Sequence, residues 1–173
     1  MEKGKNLSKK LHKNRDDLAG EHVFGDAGQI ILLFLFLIVW IADSFFLQYS
    51  IFLTEYIPSS IRNILAVIVL LFSAYFARSG LKIVFDEVRE KAHVIRKGVF
   101  SRVRHPVYLG AILLYLGLFL FSLSIITLVL WFIIIGFYYY ISVYEERILV
   151  EKFDKEYQEY MNDVPMFIPK LRR

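Results

Sequence analysis

Two short stretches bring together residue types whose spacing could do chemistry. The first is residues 93–110, HVIRKGVFSRVRHPVYLG, where Arg102, Arg104 and His105 stand just before Pro106, and Tyr108 follows two residues later. Proline is favoured at the first position of a helix, because its missing N–H would be unpaired there in any case. The other first-turn N–H groups then point outward, and the positive end of the helix dipole favours an anion. Arginines, a histidine and a phenol around such a start suit a carboxylate or phosphate group of a ligand. The same residues also suit a membrane border, with basic side chains at headgroups and tyrosine in the aromatic belt. The second stretch is Glu145–Glu146, preceded by Tyr138, Tyr139, Tyr140 and Tyr144. Paired carboxylates beside aromatic faces are what a sulfonium or ammonium group would seek. Taken alone, they also read as the solvated start of a C-terminal helix. Asp43 falls inside an apolar run, where an ionisable group has either a functional reason or an internal partner; equally, it can lie near the outer end of that run.

The elements that must position these residues are helices in a bilayer. The chain has 173 residues, 57% hydrophobic and 17% aromatic, with mean hydropathy +0.48. With 22% of residues still charged, the apolar ones must be segregated into blocks. A net charge of +4 is modest, and the basic residues border apolar runs, which fits anionic headgroups better than nucleic acid. Cysteine is absent, excluding disulfides and thiolate chemistry, and four scattered histidines offer little for a metal. The first apolar run begins after about 27 mostly polar residues and is too long for a signal-peptide core, so it is expected to be retained.

The fold class expected is all-α: a polytopic membrane protein of about four transmembrane helices in two hairpins, with amphipathic cytosolic helices. The apolar runs are residues 27–47, 61–77, 107–121 and 125–144. Residues 1–26 form a basic cytosolic arm, and 27–173 a single membrane domain. Residues 78–104 and 145–161 alternate apolar and charged positions as interfacial helices or cytosolic extensions of the spans do. Four spans put the N-terminus, the 78–104 segment and the C-terminus on one side, with 20 of the 21 lysines and arginines; only Arg62 lies opposite. The positive-inside rule places that side, and both termini, in the cytosol. The two reactive stretches then sit at the cytosolic ends of paired helices and can close on one pocket.

At this point a resemblance becomes specific. Gly98-Val-Phe100-Ser-Arg-Val-Arg104-His105-Pro106-Val-Tyr108-Leu-Gly110 resembles the cofactor motif of the isoprenylcysteine carboxyl methyltransferase and phospholipid methyltransferase superfamily. The ending resembles that family too: Glu145-Glu146, then Phe153, Tyr157 and Tyr160, Val164-Pro165 and Phe167-Ile-Pro169. Two motifs in order, over residues 92–169, are far more specific than a lone short pattern. The resemblance implies S-adenosyl-L-methionine bound without a Rossmann domain, between the last membrane hairpin and the C-terminal segment. Cofactor contacts carried over by motif are Ala92, His93, Val94, Ile95, Phe100, His105, Pro106, Val107, Tyr108 and Glu145. Phe100 stands where tyrosine is more usual, and Asp154 where the family has glycine.

The implied reaction is methyl transfer to a lipophilic acceptor entering from the membrane, first of all the carboxylate of an isoprenylcysteine-like substrate. In-line displacement at a sulfonium methyl asks the protein for alignment and water exclusion. An ionised carboxylate needs no base, whereas an amine must lose a proton to Glu146, His93 or a tyrosine. Prenylcysteine enzymes hold the substrate carboxylate with an arginine one turn before the Glu pair. Here that position is Ile141, and Arg147 is its candidate replacement. Glu146, Arg147 and Tyr108 are accordingly the residues expected to act on substrate. The alternatives are a lipid amine N-methyltransferase, a nicotinamide-dependent membrane reductase of related fold, and a non-catalytic lipid-binding scaffold. No metal or nucleic-acid partner is expected.

Overall fold

The computed structural model describes residues 23–86 and 93–168. The basic arm up to residue 22, Ala92 and Pro169 lie outside the described residues. Every regular element among those described is a helix. Helix α1 is Val23–Ile41 and runs on as a widened π-type turn, Ala42–Leu47. A 3-10 turn, Phe52–Glu55, leads to α2, Ser59–Asp86. Residues 93–97 form no helix or strand, and a second 3-10 turn, Gly98–Ser101, precedes α3, Pro106–Ser122. Helix α4 is Ile125–Phe153 and α5 is Lys155–Asp163.

The breaks have local causes. Pro106 opens α3. The two-residue turn into α4 puts Leu123 in the left-handed region (φ 48°), and Ser124 Oγ caps α4 by accepting the Thr127 N–H. Such a cap stabilises a helix by about 1 kcal/mol. The 78–104 stretch divides: α2 continues past the apolar run to Asp86, residues 87–92 lie outside the described residues, and residues 93–97 form no helix or strand. Residues 145–153 continue α4 without a break, so the expected C-terminal helix is split at Asp154.

Helix pairing differs from two self-contained hairpins. α2 packs most extensively on α3, and α1 lies against α4. Small residues explain the first contact: a Cβ added to Gly110 would lie 2.9 Å from the Ala77 Cβ and backbone N, and one added to Gly117 would lie 2.6 Å from a Leu70 methyl. The Ser73 hydroxyl donates to the Gly110 carbonyl (2.7 Å), and Ala66 is fully buried. With no hydrophobic drive between helices in lipid, close approach at small residues and interhelical hydrogen bonds hold the pair. α1 and α4 are each tied to α3 as well, by Trp40 Nε1–H to Leu118 O (2.8 Å) and Trp131 Nε1–H to Ile112 O (3.0 Å). Phe36, Ile112, Tyr115, Ile134, Tyr138 and Ile141 form the core between these three helices.

Among the described residues, three helical segments are long and apolar enough to cross a membrane: Ala27–Leu47, Ser59–Val84 and Ile125–Phe153; Pro106–Ser122 is shorter. Ile31, Phe34, Ile38, Ile64, Leu71, Phe72, Phe132 and Ile133 are exposed on them, an apolar surface too large for water to tolerate. The protein is an integral membrane protein. Asp43 has an internal partner set. It is 2% exposed, accepts the Tyr49 and Ser50 N–H groups at Oδ1 (3.1 and 3.2 Å) and takes the Ser50 hydroxyl at Oδ2 (2.6 Å). Ser50 in turn receives the Ile125 and Ile126 N–H groups, on its carbonyl and its hydroxyl. Asp43 therefore clasps the end of α1 to the start of α4.

Candidate functional site

The site lies where α3 begins and α4 emerges beside it. Gly98 (φ +59°) turns the chain against α2, where a Cβ would meet Ile83 Cδ1 at 2.6 Å. The Arg104 and His105 N–H groups then donate to the carbonyls of Pro165 and Met166 (3.0 and 3.3 Å), which straps the C-terminal segment across the start of α3. Backbone pairing of two such distant segments fixes His105, Pro106 and Tyr108 opposite Glu145 and Glu146.

The Glu pair divides its work. Glu146 is buried, and the Arg104 guanidinium donates to both its oxygens, Nε to Oε1 at 2.7 Å and Nη2 to Oε2 at 3.2 Å. Arg104 Nη1 also donates to the carbonyls of Met161 and Val164, at the end of α5 (2.8 and 2.7 Å). His105 sits between the two carboxylates, Nε2 3.0 Å from Glu146 and Nδ1 3.6 Å from Glu145. Glu145 accepts the Tyr108 hydroxyl and keeps a side chain 16% exposed. The His105 and Tyr108 rings stack at 5.5 Å, with Phe167 against His105 and Tyr138 against Tyr108. A bidentate Arg–carboxylate pair this well shielded is strong when intact and costly when broken.

Helix α5 braces the cluster from behind. The Val94 N–H donates to Glu156 Oε1 (3.1 Å), and the Tyr160 hydroxyl donates to the Phe100 carbonyl (2.7 Å). Val94, Tyr157, Tyr160 and Val164 form a small core of their own, and Arg96 lies over the Tyr160 ring. Burial pushes the Tyr157 and Tyr160 hydroxyls well above the ordinary phenol range, so both remain neutral hydrogen-bonding groups at physiological pH.

Of the residues nominated from sequence, His105, Tyr108, Glu145 and Glu146 meet in one cluster. Pro106 is buried beneath it, with Val107 next to it in the same first turn and both against α2 at Gly80. Val94 and Phe100 border the cluster through α5, His93 is exposed, and Ile95 is half-buried. Arg147 is exposed on α4 and takes no place in the cluster. Arg104 is the residue that motif reading undervalued. Its signal was its place directly before His-Pro, but its carbonyl acceptors on α5 carry no side-chain signature.

The family model described as "Protein of unknown function (DUF1295)" matches residues 6–164. Over 83 residues the chain is 37% identical to Protein-S-isoprenylcysteine O-methyltransferase of Saccharomyces cerevisiae, a stretch amounting to 47% of this chain and 35% of the yeast protein. The chain thus spans about a third of the length of that relative. The resemblance to integral membrane methyltransferases seen in the motifs is therefore shared sequence as well as shared pattern.

Proposed function

The chain belongs to the DUF1295 family, and within it, we propose, this protein is an S-adenosyl-L-methionine-dependent methyltransferase whose acceptor reaches it through the membrane. The observation that carries this reading is the Glu145–Tyr108–His105 arrangement: a part-exposed carboxylate fixed beside aromatic faces, at a helix start. That donor set fits a ligand carrying ammonium, sulfonium and carboxylate groups. When bound, the cofactor supplies a methyl group already activated on sulfur.

The residues proposed to hold it are His93, Val94, Ile95, Phe100, the His105–Tyr108 turn and Glu145, together with Ala92. Residues 93–96 run outside any helix, so their backbone groups serve no helical ladder. Glu146, bound to Arg104, anchors this frame and leaves the exposed edge of the pair to Glu145. The first reading of the acceptor is an isoprenylcysteine-like carboxylate, with Arg147 as its proposed partner. The second is a lipid amine, favoured by Ile141: it is 2% exposed in the apolar core, where the prenylcysteine enzymes have a cation. An amine must shed a proton, and the Tyr108–Glu145 pair is better placed to take it than Glu146.

Four crossings, with both termini cytosolic, complete the proposal. Ser50, just after α1, meets the start of α4, and the Arg62 guanidinium at the start of α2 reaches Phe121 O at the end of α3. Those four ends lie together, which supports α3 as the crossing between α2 and α4. Its 17 residues reach about 26 Å, just under a ~30 Å hydrocarbon core.

The test is a titration of the detergent-purified chain with S-adenosylmethionine, S-adenosylhomocysteine and NADPH. The first two are expected to bind. Glu145→Gln should weaken that binding by roughly tenfold, the scale of one charge-assisted contact, with little change in thermal stability. Tight binding of NADPH alone would make the protein a reductase, and binding of none a scaffold. Labelled-methyl transfer into prenylcysteine analogues and lipid extracts then separates an alkali-labile ester from a stable methylamine.

A further inference from the structure

At the end of the molecule opposite the Glu pair, a cavity of about 540 Å³ opens between the π turn of α1, the following loop, the start of α2 and the end of α3. That volume is in the range of small-molecule sites, about 300–1,000 Å³. Trp40, Phe45, Ile51 and Phe121 give it apolar walls, and Ser44, Ser122, Thr54 and Arg62 give it polar ones.

Two of those polar residues are buried without partners. Ser44 and Ser122 are 9% and 8% exposed, and neither hydroxyl makes a hydrogen bond in the protein. A buried hydroxyl without a partner costs about 1–3 kcal/mol, so two on one cavity wall call for a ligand that pairs with them. Arg62 adds the charge. Its Nε–H and Nη1–H go to the carbonyls of Ile57 and Phe121, and no carboxylate among the described residues pairs with it. Asp43, the nearest acid by sequence to Ser44, is consumed by Ser50 and the backbone at Tyr49 and Ser50. In the π turn and the loop that supply part of its lining, Phe46, Tyr49, Phe52 and Tyr56 are exposed, as side chains of the aromatic belt at headgroup level are.

We propose that this cavity binds the headgroup of an anionic phospholipid, with Arg62 holding the phosphate and the Ser44 and Ser122 hydroxyls its ester and free oxygens. The site is separate from the methyl-transfer cluster and does not depend on that reading. Its ligand chemistry, a phosphate oxygen set, is shared by free phosphate, but the apolar walls and the belt position favour the lipid.

The experiment is native mass spectrometry of the delipidated full-length chain with phosphatidylglycerol, phosphatidylcholine or inorganic phosphate added, paired with thermal unfolding. The wild type should retain one phosphatidylglycerol with an affinity on the order of tenfold above phosphatidylcholine, the scale of one charge-assisted contact. Arg62→Gln should erase that preference. The Ser44→Ala/Ser122→Ala double variant gives the sharper sign: without lipid it should unfold no lower than wild type, because removing unpaired hydroxyls costs nothing, yet it should lose roughly tenfold in phosphatidylglycerol binding. Equal retention of both lipids, equal occupancy by inorganic phosphate, or unchanged lipid binding by the serine variant would each overturn the proposal. So would a lipid-free loss of stability in that variant, since it would mean the hydroxyls have partners in the protein.

Discussion

Glu145 and Glu146 are adjacent and chemically identical, yet their surroundings give them different tasks. Arg104 takes both oxygens of Glu146, whereas Glu145 meets a phenol and the edge of His105. His105 is itself 8% exposed and bonded to Glu146, so truncating it would disturb the frame as well as the pocket. Glu145→Gln is the cleaner probe for that reason. The motifs made the Glu pair and the R-H-P turn legible, but not this division, because it is set by three-dimensional neighbours on α5. Asp154 is the residue where departure from the family pattern has a visible consequence. It adopts φ 45°, ψ −119°, a region costly for any side chain and open to glycine, and it forms the joint between α4 and α5. Asp154→Gly is expected to stabilise the C-terminal segment by about 1 kcal/mol, seen as a higher thermal midpoint in detergent. A lower midpoint would mean that Asp154 makes a contact outweighing its backbone strain.

At the scale of elements, hydropathy revealed how many apolar runs there are but not which run packs on which. The information was present in another form: Ala66, Ser73 and Gly80 recur every seven residues on α2, and Gly110 and Gly117 do so on α3. A spacing of seven keeps small residues on one helix face, and two such faces can approach closely. The α2–α3 seam therefore makes α2 part of the frame behind the site, since Gly80 lies against Pro106 and Val107. Gly110→Ala should open this seam, because the new Cβ would stand 2.9 Å from Ala77 backbone nitrogen and 3.0 Å from Ser73 oxygen, atoms that cannot swing aside. A loss of about 1–3 kcal/mol is expected, read as a lower temperature at which detergent-purified protein leaves the monodisperse peak. Gly136→Ala is the control: nothing lies within 4 Å of its Cβ, and it should be neutral or mildly stabilising.

Over the whole molecule, the segregation of charge and the positions of the helix ends point to the same arrangement. The Glu pair, the R-H-P turn and the strap from Pro165 and Met166 share one end. The Asp43 clasp, Arg62 and the cavity share the other. Among the described residues every lysine and arginine except Arg62 lies toward the first end, the end that the proposed orientation turns to the cytosol and to a charged, water-soluble cofactor. The sequence lacks cysteine, so single introduced cysteines report position without background. Ser101 is exposed in the 3-10 turn beside the site, and Tyr56 is exposed in the loop before α2. In sealed right-side-out vesicles, an impermeant maleimide should label Tyr56→Cys and leave Ser101→Cys untouched until the membrane is permeabilised. Labelling of both before permeabilisation would mean that α2 does not carry the chain across, and the reverse pattern would invert the orientation. Either result would put the site on a face where its proposed cofactor does not arrive.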